Sequence, residues 1–320
     1  MNNADRPVLD ELIVDLDRPY RLLAFGDPNV DLMFAVAHAP ASDQKVMGRS
    51  LGRFAGGTVA NAGCAAAAMG CRTQAVGRVG SDEDGHFLRA AFVQHGVSVD
   101  LVQTVAAAHS ACAMIMLEPG GEKALVYAPL PGTAFDMDTM VTALTRSSVL
   151  YAMPYDSAEF TGVHALARAS GTVVVIDIES AMAPRAGDIE RLLGHADVVF
   201  MNATTYVDLF GRAPDTGHMR SLLAHGVKVL VVTCGAAGAL AVTQRGVASQ
   251  SARVVTVLDS TGAGDCFNGA FVAALLEGQS LRACLRFACA AASFVVAQVG
   301  ARSGVPTRAR VDALLAAWQV

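Results

Sequence analysis

The sequence has few lysines and few aromatic residues. Lysine occurs only at positions 45, 123 and 228, and aromatic residues make up 6% of the 320 residues. The net charge is −5 at pH 7, so the chain offers no strongly basic surface of the kind that binds nucleic acid. We therefore expect no nucleic-acid partner.

The cysteines and the N-terminal segment exclude further classes. Seven cysteines are scattered along the chain and none forms a CxxC pair, which indicates reduced thiols rather than a zinc site or a disulfide framework. The first twenty residues lack the basic start and apolar stretch of a signal peptide. No apolar run reaches membrane-spanning length without glycine or charge. These absences predict a cytoplasmic protein with no membrane partner.

What the chain has in excess is small apolar residues. Hydrophobic residues make up 53% of the sequence, and alanine-rich runs suit helices that pack closely on a sheet. After a first strand predicted over residues 21–26, helix and strand signals alternate. Helices are predicted at 58–69 and 83–95, and strands at 73–79, 148–152, 172–176, 197–200 and 228–233. This alternation predicts an α/β fold with a mostly parallel sheet and helices on both faces.

One stretch breaks the alternation. Residues 111–118 and 122–128 predict a β-hairpin around Pro-Gly-Gly, and residues 32–37 and 46–54 supply further strands of a small separate sheet. We therefore predict a loosely held N-terminal extension over residues 1–20 and one domain over 21–320. The strands of a β-lid come from about 32–54 and 111–128.

The strongest motif is DSTGAGDCFNGAF, residues 259–271. It follows a strand-like run at 254–258 and precedes a helical run at 266–276, and the N-terminus of a helix attracts anions. A carboxylate opposes anion binding, so Asp265 calls for another role, and accepting a proton from a nucleophilic hydroxyl fits. Taken alone, Gly-Ala-Gly-Asp also fits a turn in which Asp265 caps the helix.

Two polar groups lie near the N-terminus of the predicted domain. Asn29 and Asp31 follow the first strand and alternate, so both can face one side and grip vicinal hydroxyls. Gly56 and Gly57 permit close backbone approach to a ligand, and Asn61 follows one helical turn later. Each pattern alone also fits an ordinary turn or a loop–helix junction.

In this order, the motifs resemble those of the ribokinase-like (PfkB) carbohydrate kinases. Residues 56–61 resemble the N-terminal signature of that family, and residues 259–271 resemble its C-terminal signature, DTxGAGDxFxGA. Residues 77–85 and 232–238 look like its GxVGxDxxG and VTxGxxG segments. The resemblance covers roughly residues 21–318.

The resemblance implies a ribokinase-like three-layer α/β/α fold with a central, mostly parallel sheet and a small β-lid. It implies ATP-dependent phosphorylation of a hydroxyl on a small sugar or sugar acid. By resemblance, Asp265 is the general base, and the backbone of Gly262, Ala263 and Gly264 forms the anion hole. The residues implied to hold the sugar are Asn29, Asp31, Gly56, Gly57 and Asn61.

The resemblance also implies cofactor sites. Thr233, Gly235 and Gly238 border the nucleotide, and Asn202 belongs to a segment that handles Mg²⁺ and phosphate. Asp259 and Thr261, with Gly300 and Gly304, match positions that bind a monovalent cation such as K⁺. Separately, the apolar strands predicted for the lid favour a homodimer that forms through it.

Three positions depart from the family pattern. Thr205 stands where many members carry a glutamate after Asn202, Asp177-Ile-Glu179 replaces a common DxNxR segment, and residues 151–155 lack the acidic sugar contact of ribokinase-type members. Magnesium handling and the sugar therefore stay open.

Three other functions compete with a sugar kinase. A nucleoside kinase of the same family is the near alternative, although few aromatic residues are available to stack a base. A sugar-binding regulator without catalysis is another, opposed by the intact residues 262–265. A dinucleotide-binding oxidoreductase is disfavoured because no GxGxxG follows the first strand.

Overall fold

The computed structural model describes residues 6–120, 123–132, 136–155, 157–183 and 187–318. Its strands are β1 (Tyr20–Phe25), β2 (Asn29–Val36), β3 (Gly48–Gly56), β4 (Thr73–Gly80), β5 (Ser98–Val105), β6 (Cys112–Leu117), β7 (Lys123–Ala128), β8 (Ser147–Ala152), β9 (Val173–Ile178), β10 (Val198–Asn202), β11 (Val229–Thr233), β12 (Ala239–Thr243) and β13 (Val247–Gln250).

The α-helices are α1 (Thr58–Ala68), α2 (Glu83–Gln94), α3 (Met137–Thr145), α4 (Ser157–Ala169), α5 (Asp188–Gly194), α6 (Ala203–Phe210), α7 (Thr216–Leu222), α8 (Ala263–Leu276), α9 (Leu281–Val295) and α10 (Arg308–Ala317). Within the described ranges, none of them is both long and apolar enough to cross a membrane.

The main sheet contains nine strands in the order β13-β12-β11-β10-β9-β8-β1-β4-β5. Neighbours from β11 to β5 pair in parallel, whereas β11–β12 and β12–β13 are antiparallel. The strands from β8 to β11 are almost continuously buried, as expected where helices cover both faces of a parallel sheet. The predicted three-layer α/β/α architecture is confirmed.

The lid is a second sheet of four strands in the order β3-β2-β6-β7. Strands β2 and β6 pair in parallel, and the hairpin β6–β7 is antiparallel with Met114 opposite Val126. The predicted turn of this hairpin includes residues 121 and 122, which lie outside the described residues. On one face Met33, Ala113 and Ile115 form a small buried cluster. On the other face Leu32, Met114 and Val126 form an exposed apolar row.

Helices α1 and α8 pack against each other through small residues. A Cβ on Gly269 of α8 would lie 2.2 Å from the carbonyl oxygen of Ala62 on α1. The neighbouring Ala65 and Ala66 are completely buried. The alanine excess of the sequence therefore serves this close helix–helix contact, which bulkier side chains would force apart.

The segment before β1 is held more firmly than the sequence predicts. Val8 is buried, and its N–H donates to the carbonyl of Gln279 at 3.1 Å. The guanidinium of Arg18 donates to the carbonyls of Leu144 and Ser147 at 2.9 and 2.7 Å. Of the predicted loose extension, the described residues 6–20 thus lie against the domain, because Arg18 satisfies carbonyls that end α3 and begin β8. The division into extension and domain stays a prediction.

The run at residues 254–258, expected to be a strand, is not one. It forms no ladder with the main sheet, and Val254 is almost fully exposed. A run of β-branched residues favours a strand only where a neighbouring strand is available to pair. Here the segment passes over a cavity instead, with Val254, Val255 and Val257 lining it.

Candidate active site

Asp265 lies in the first turn of α8. Gly262 precedes this helix with φ 77°, and a Cβ there would lie 2.5 Å from the carbonyl oxygen of Ala301, so only glycine fits. A Cβ on Gly264 would meet nothing within 4 Å, so the first turn faces open space. The N–H of Ala263 donates to Ser260 at 3.3 Å. The N-terminus of α8 therefore lies beside open space, from which an anion could approach the helix dipole.

The carboxylate of Asp265 has a specific partner on another helix. The side-chain nitrogen of Asn61, on α1, donates to Asp265 Oδ2 at 2.7 Å. Burial raises the pKa of Asp265 to about 6, although the Asn61 hydrogen bond and the Lys123 charge act to lower it. Glu179 and Asp31 act in the raising direction. Asp265 is thus ionised at neutral pH yet basic enough to accept a proton.

A second acid, Asp177 of β9, lies near the base. The hydroxyl of Tyr151 donates to Asp177 Oδ2 at 3.2 Å, and the side-chain nitrogen of Asn268 donates to the same oxygen at 2.9 Å. Burial and repulsion from Asp265 raise the pKa of Asp177 to about 8. Near pH 7 Asp177 therefore holds a proton while Asp265 is ionised, so of these two acids Asp265 is the one able to accept a proton.

The expected sugar-binding residues come together beside Asn61. Asn29 and Asp31 do face the same side of β2, because the side-chain nitrogen of Asn29 donates to Asp31 Oδ1 at 2.6 Å. Both residues are buried, and burial raises the pKa of Asp31. A Cβ on Gly56 would lie 2.3 Å from Asp31 Oδ2, so only glycine leaves room for this carboxylate. Gly57, with φ 97°, begins the turn into α1.

The sequence reasoning missed Arg302, which completes this cluster. Its Nε donates to Asn61 Oδ1 at 2.7 Å, and its Nη2 donates to the carbonyl of Gly56 at 2.6 Å. The residue is only 7% exposed. It lies between Gly300 and Gly304, which the sequence had singled out, but nothing in the pattern of a lone arginine indicates burial.

A cavity of about 360 Å³ opens on the other side of the α8 N-terminus. Of the residues expected at the nucleotide, Thr233, Gly235 and Gly238 line it, as do Ala263 and Gly264. Further lining residues that the sequence did not indicate are mostly apolar and include Val257, Phe267, Cys289, Ala292 and Val296. An apolar cavity that ends at a helix N-terminus suits a nucleotide, with the nucleobase against the apolar wall and the phosphates at the helix N-terminus.

Asn202 does not line this cavity. It is the N-cap of α6, where its Oδ1 accepts from the N–H of Thr205 at 2.8 Å, and the Thr205 side chain is buried. These contacts are structural ones, since they satisfy the first turn of a helix.

The residues expected to bind a monovalent cation form a buried polar group. Asp259 is completely buried, and its two oxygens accept from the N–H groups of Thr261 and Gly300, both at 2.9 Å. The hydroxyl of Thr261 is buried and has no hydrogen-bond partner among the described residues. A Cβ on Gly304 would lie 2.7 Å from the carbonyl oxygen of Phe294, so Gly304 packs tightly against the end of α9. A buried, unpartnered hydroxyl beside a carboxylate matches the oxygen ligands that a hard cation needs.

Comparison with known proteins identifies the family. The family model described as pfkB family carbohydrate kinase matches residues 20–308. The chain is 27% identical over 310 residues to a ribokinase of Haemophilus influenzae, with 90% of this chain and 95% of the relative covered. It is 26% identical over 301 residues to a nucleoside kinase of Methanothermobacter thermautotrophicus, with 93% and 96% covered.

Solved structures agree with the sequence relatives. The structure of Arabidopsis thaliana ribokinase complexed with ribose and ATP has a TM-score of 0.79 and 27% identity, over 92% of this chain and 98% of that chain. A ribokinase of Thermotoga maritima has a TM-score of 0.78 and 25% identity, over 93% and 99%. With the family model covering most of its length, the chain belongs to the pfkB family of carbohydrate kinases.

Proposed function

We propose that this chain transfers the γ-phosphoryl group of ATP to a hydroxyl of a small sugar or sugar acid, with Asp265 as the general base. The observation that carries the proposal is the position of Asp265 between two sites. Ala263 and Gly264 line the apolar cavity, and Asp265 directly follows them in the sequence. Asp265 also accepts a hydrogen bond from Asn61, which belongs to the polar cluster formed by Asn29, Asp31, Asn61 and Arg302. A hydroxyl held by Asp31 and Asn61 would meet the base and the phosphate together.

ATP as the donor is supported by the cavity and by the relative solved with ribose and ATP. The backbone of Gly262, Ala263 and Gly264 would stabilise the transferring phosphoryl group, since helix N-termini stabilise developing negative charge. Thr233, Gly235 and Gly238 would border the nucleotide.

Mg²⁺ would neutralise charge on the phosphates when it is bound. Asn202 and Thr205 do not supply a carboxylate for it. Glu179, a half-buried acid electrostatically coupled to Asp265, has the oxygen ligands that Mg²⁺ prefers and would order its water shell. A monovalent cation such as K⁺ would fit Asp259 and Thr261.

Nucleoside phosphorylation is the second candidate. Tyr127 of the lid and Tyr155 after β8 each expose part of their ring. Partial burial, and then the negative charge of Glu179, raise the pKa of Tyr155. These two tyrosines offer a surface on which a nucleobase could stack, which the low aromatic content of the sequence did not indicate. A coupled ADP-release screen over sugars, sugar acids, polyols and nucleosides distinguishes the candidates. Turnover with none of them would overturn the proposal.

The pH dependence of kcat gives a separate test. Because Asp265 must be ionised and its pKa is raised to about 6, kcat is expected to fall as pH drops through that value. The measurement is kcat at saturating Mg²⁺–ATP and substrate between about pH 5 and pH 9. The residual activity of Asp265→Asn, measured in the same way, should lack this limb. A wild-type profile that stays flat down to pH 5 contradicts the assignment.

We also propose that the chain forms a homodimer through the lid. The exposed row of Leu32, Met114 and Val126 is the apolar face that a second lid would cover. Met114→Lys places a charge at its centre and is expected to shift the protein to monomers in light scattering and to weaken sugar binding. Val93→Lys, at an exposed position on α2, is the control. A wild-type monomer, or a dimer unaffected by Met114→Lys, would contradict this interface.

A cytoplasmic location stays a prediction.

A further inference from the structure

Arg302 is a buried cation that is linked by hydrogen bonds to Asp265, the proposed base, through one residue, Asn61. Its guanidinium carbon lies 5.3 Å from the centroid of the Phe92 ring, in a cation–π contact. Its Nε and Nη2 donate to Asn61 Oδ1 and to the Gly56 carbonyl. Its third nitrogen, Nη1, is buried without a hydrogen-bond partner among the described residues. Burying an arginine is costly, so its hydrogen bonds call for a role.

The chemistry of the guanidinium fixes the orientation of Asn61. A guanidinium has five N–H donors and no acceptor, so the atom of Asn61 that faces it must be the amide oxygen. The amide nitrogen then has to face Asp265, where it donates at 2.7 Å. The Gly56 carbonyl holds the guanidinium from the side, so the arginine itself is fixed at two points.

We propose that Arg302 is a positioning residue, which locks the Asn61 amide with its nitrogen toward Asp265 and so keeps the base ionised and aimed. This inference rests on the proposed role of Asp265 as the base. Without Arg302, among the described residues only the hydrogen bond to Asp265 orients the amide. Once Asp265 is protonated, the amide can turn its oxygen to accept from the carboxyl group, which favours the protonated acid and moves ionisation of the base to higher pH.

The other charged groups around Asp265 come from several elements, and among the described residues none of them is hydrogen-bonded to Arg302. Lys123 lies on β7 and Asp31 on β2, whereas Glu179 follows β9. Asp177 of β9, bonded to Tyr151 of β8, and Tyr155 complete the set. The charge of Arg302 also acts directly on Asp31. A test must therefore separate positioning through Asn61 from a general effect of positive charge.

A double-mutant cycle makes this separation. Arg302→Met, Asn61→Ala and the double variant are compared with wild type by kcat and KM across the pH range. Arg302→Met is expected to lower kcat about ten- to a hundredfold at pH 6 and less at pH 9, with the acid limb moved to higher pH and KM for ATP unchanged. In the Asn61→Ala background the same change should alter kcat by no more than about twofold, because the amide it positions is gone.

The controls cover folding and charge. Arg310→Met removes an arginine that also stacks on a ring, with its guanidinium carbon 4.7 Å from the Phe294 centroid, and should leave kcat unchanged. Thermal melting and ATP binding check that the variants fold. If Arg302→Met does not fold, Arg302→Lys replaces it in the cycle. Lysine keeps the charge but has a single nitrogen in place of the planar guanidinium, so it cannot hold Asn61 and Gly56 in the same geometry and is expected to give a partial loss.

The outcomes are distinct. An equal loss in the wild-type and Asn61→Ala backgrounds, or an unmoved acid limb, overturns the positioning role. If Asp265→Asn keeps near-wild-type kcat, the proposed base itself is wrong. If Asp265→Asn is inactive while the cycle is additive, only the inference about Arg302 fails.

Discussion

Asp265→Asn is expected to lower kcat by about 10²–10⁴-fold, the range that general-base catalysis contributes. The amide keeps the shape of the carboxylate and can still accept the hydrogen bond from Asn61, but it cannot take the proton of the attacking hydroxyl. ATP binding should be preserved, because the first turn of α8 and the adjoining cavity do not depend on the charge. The measurements are kcat by coupled ADP release and ATP affinity by calorimetry.

Asp312→Asn is the control for that change, since Asp312 is an exposed acid on α10 paired with Arg308. It should leave both kcat and ATP affinity unchanged. A kcat for Asp265→Asn within a few-fold of wild type would remove Asp265 from the mechanism. A loss of melting temperature large enough to unfold the variant would instead indicate a structural role.

Asp31→Ala is expected to weaken sugar binding by about 1.5–3 kcal/mol, the net value of a hydrogen bond to a charged group, while ATP affinity changes little. Asp31 lies on a lid strand and does not line the cavity formed by Thr233 and Gly235. Gly56→Ala should reproduce much of the effect, because its new Cβ would lie 2.3 Å from Asp31 Oδ2 and would force the carboxylate to move. Calorimetry with sugar and with ATP measures both affinities.

Asp84→Ala provides the matched control. Asp84 is also an acid near the lid, but it forms an ion pair with Arg53, whose guanidinium carbon lies 4.3 Å from the Phe87 centroid. Removing it should leave sugar affinity unchanged. Equal sugar affinity in wild type and Asp31→Ala would contradict the position we give to the sugar.

The sequence carried enough information to predict the site where its residues are local. Asn29 and Asp31 alternate on one strand, and the glycines before α1 and α8 mark helix N-termini, so their placement follows from backbone geometry. Bounds within a few residues were predicted for three helices, α1, α2 and α8, and for six parallel strands, β1, β4, β8, β9, β10 and β11. The other helices were expected only as unassigned stretches between strands. The strands β5, β12 and β13 were not predicted. Strands β12 and β13 are short and pair antiparallel at the edge of the sheet, and β5 has polar residues among its apolar ones.

What the sequence could not predict depends on contacts between distant segments. The raised pKa of Asp177 requires β8, β9 and α8 to meet, and no local pattern contains Tyr151 and Asn268 together. In the sequence, Arg302 cannot be distinguished from a surface arginine. Its burial depends on the loop after α9, which brings it to the Gly56 carbonyl. The run at 254–258 has the composition of a strand, and only the absence of a neighbour to pair with makes it the wall of a cavity.

The contact between α1 and α8 restricts how this sequence can change. Asn61 lies on α1 and Asp265 on α8. Their side chains can approach to 2.7 Å because the two helix backbones lie close together, which the small residues Gly269 and Ala62 permit. A single added methyl group at Gly269, one helical turn after Asp265 on α8, would push the two helices apart and separate Asp265 from Asn61. Substitutions along this seam should therefore be as poorly tolerated as those in the site itself, although none of its residues takes part in the chemistry.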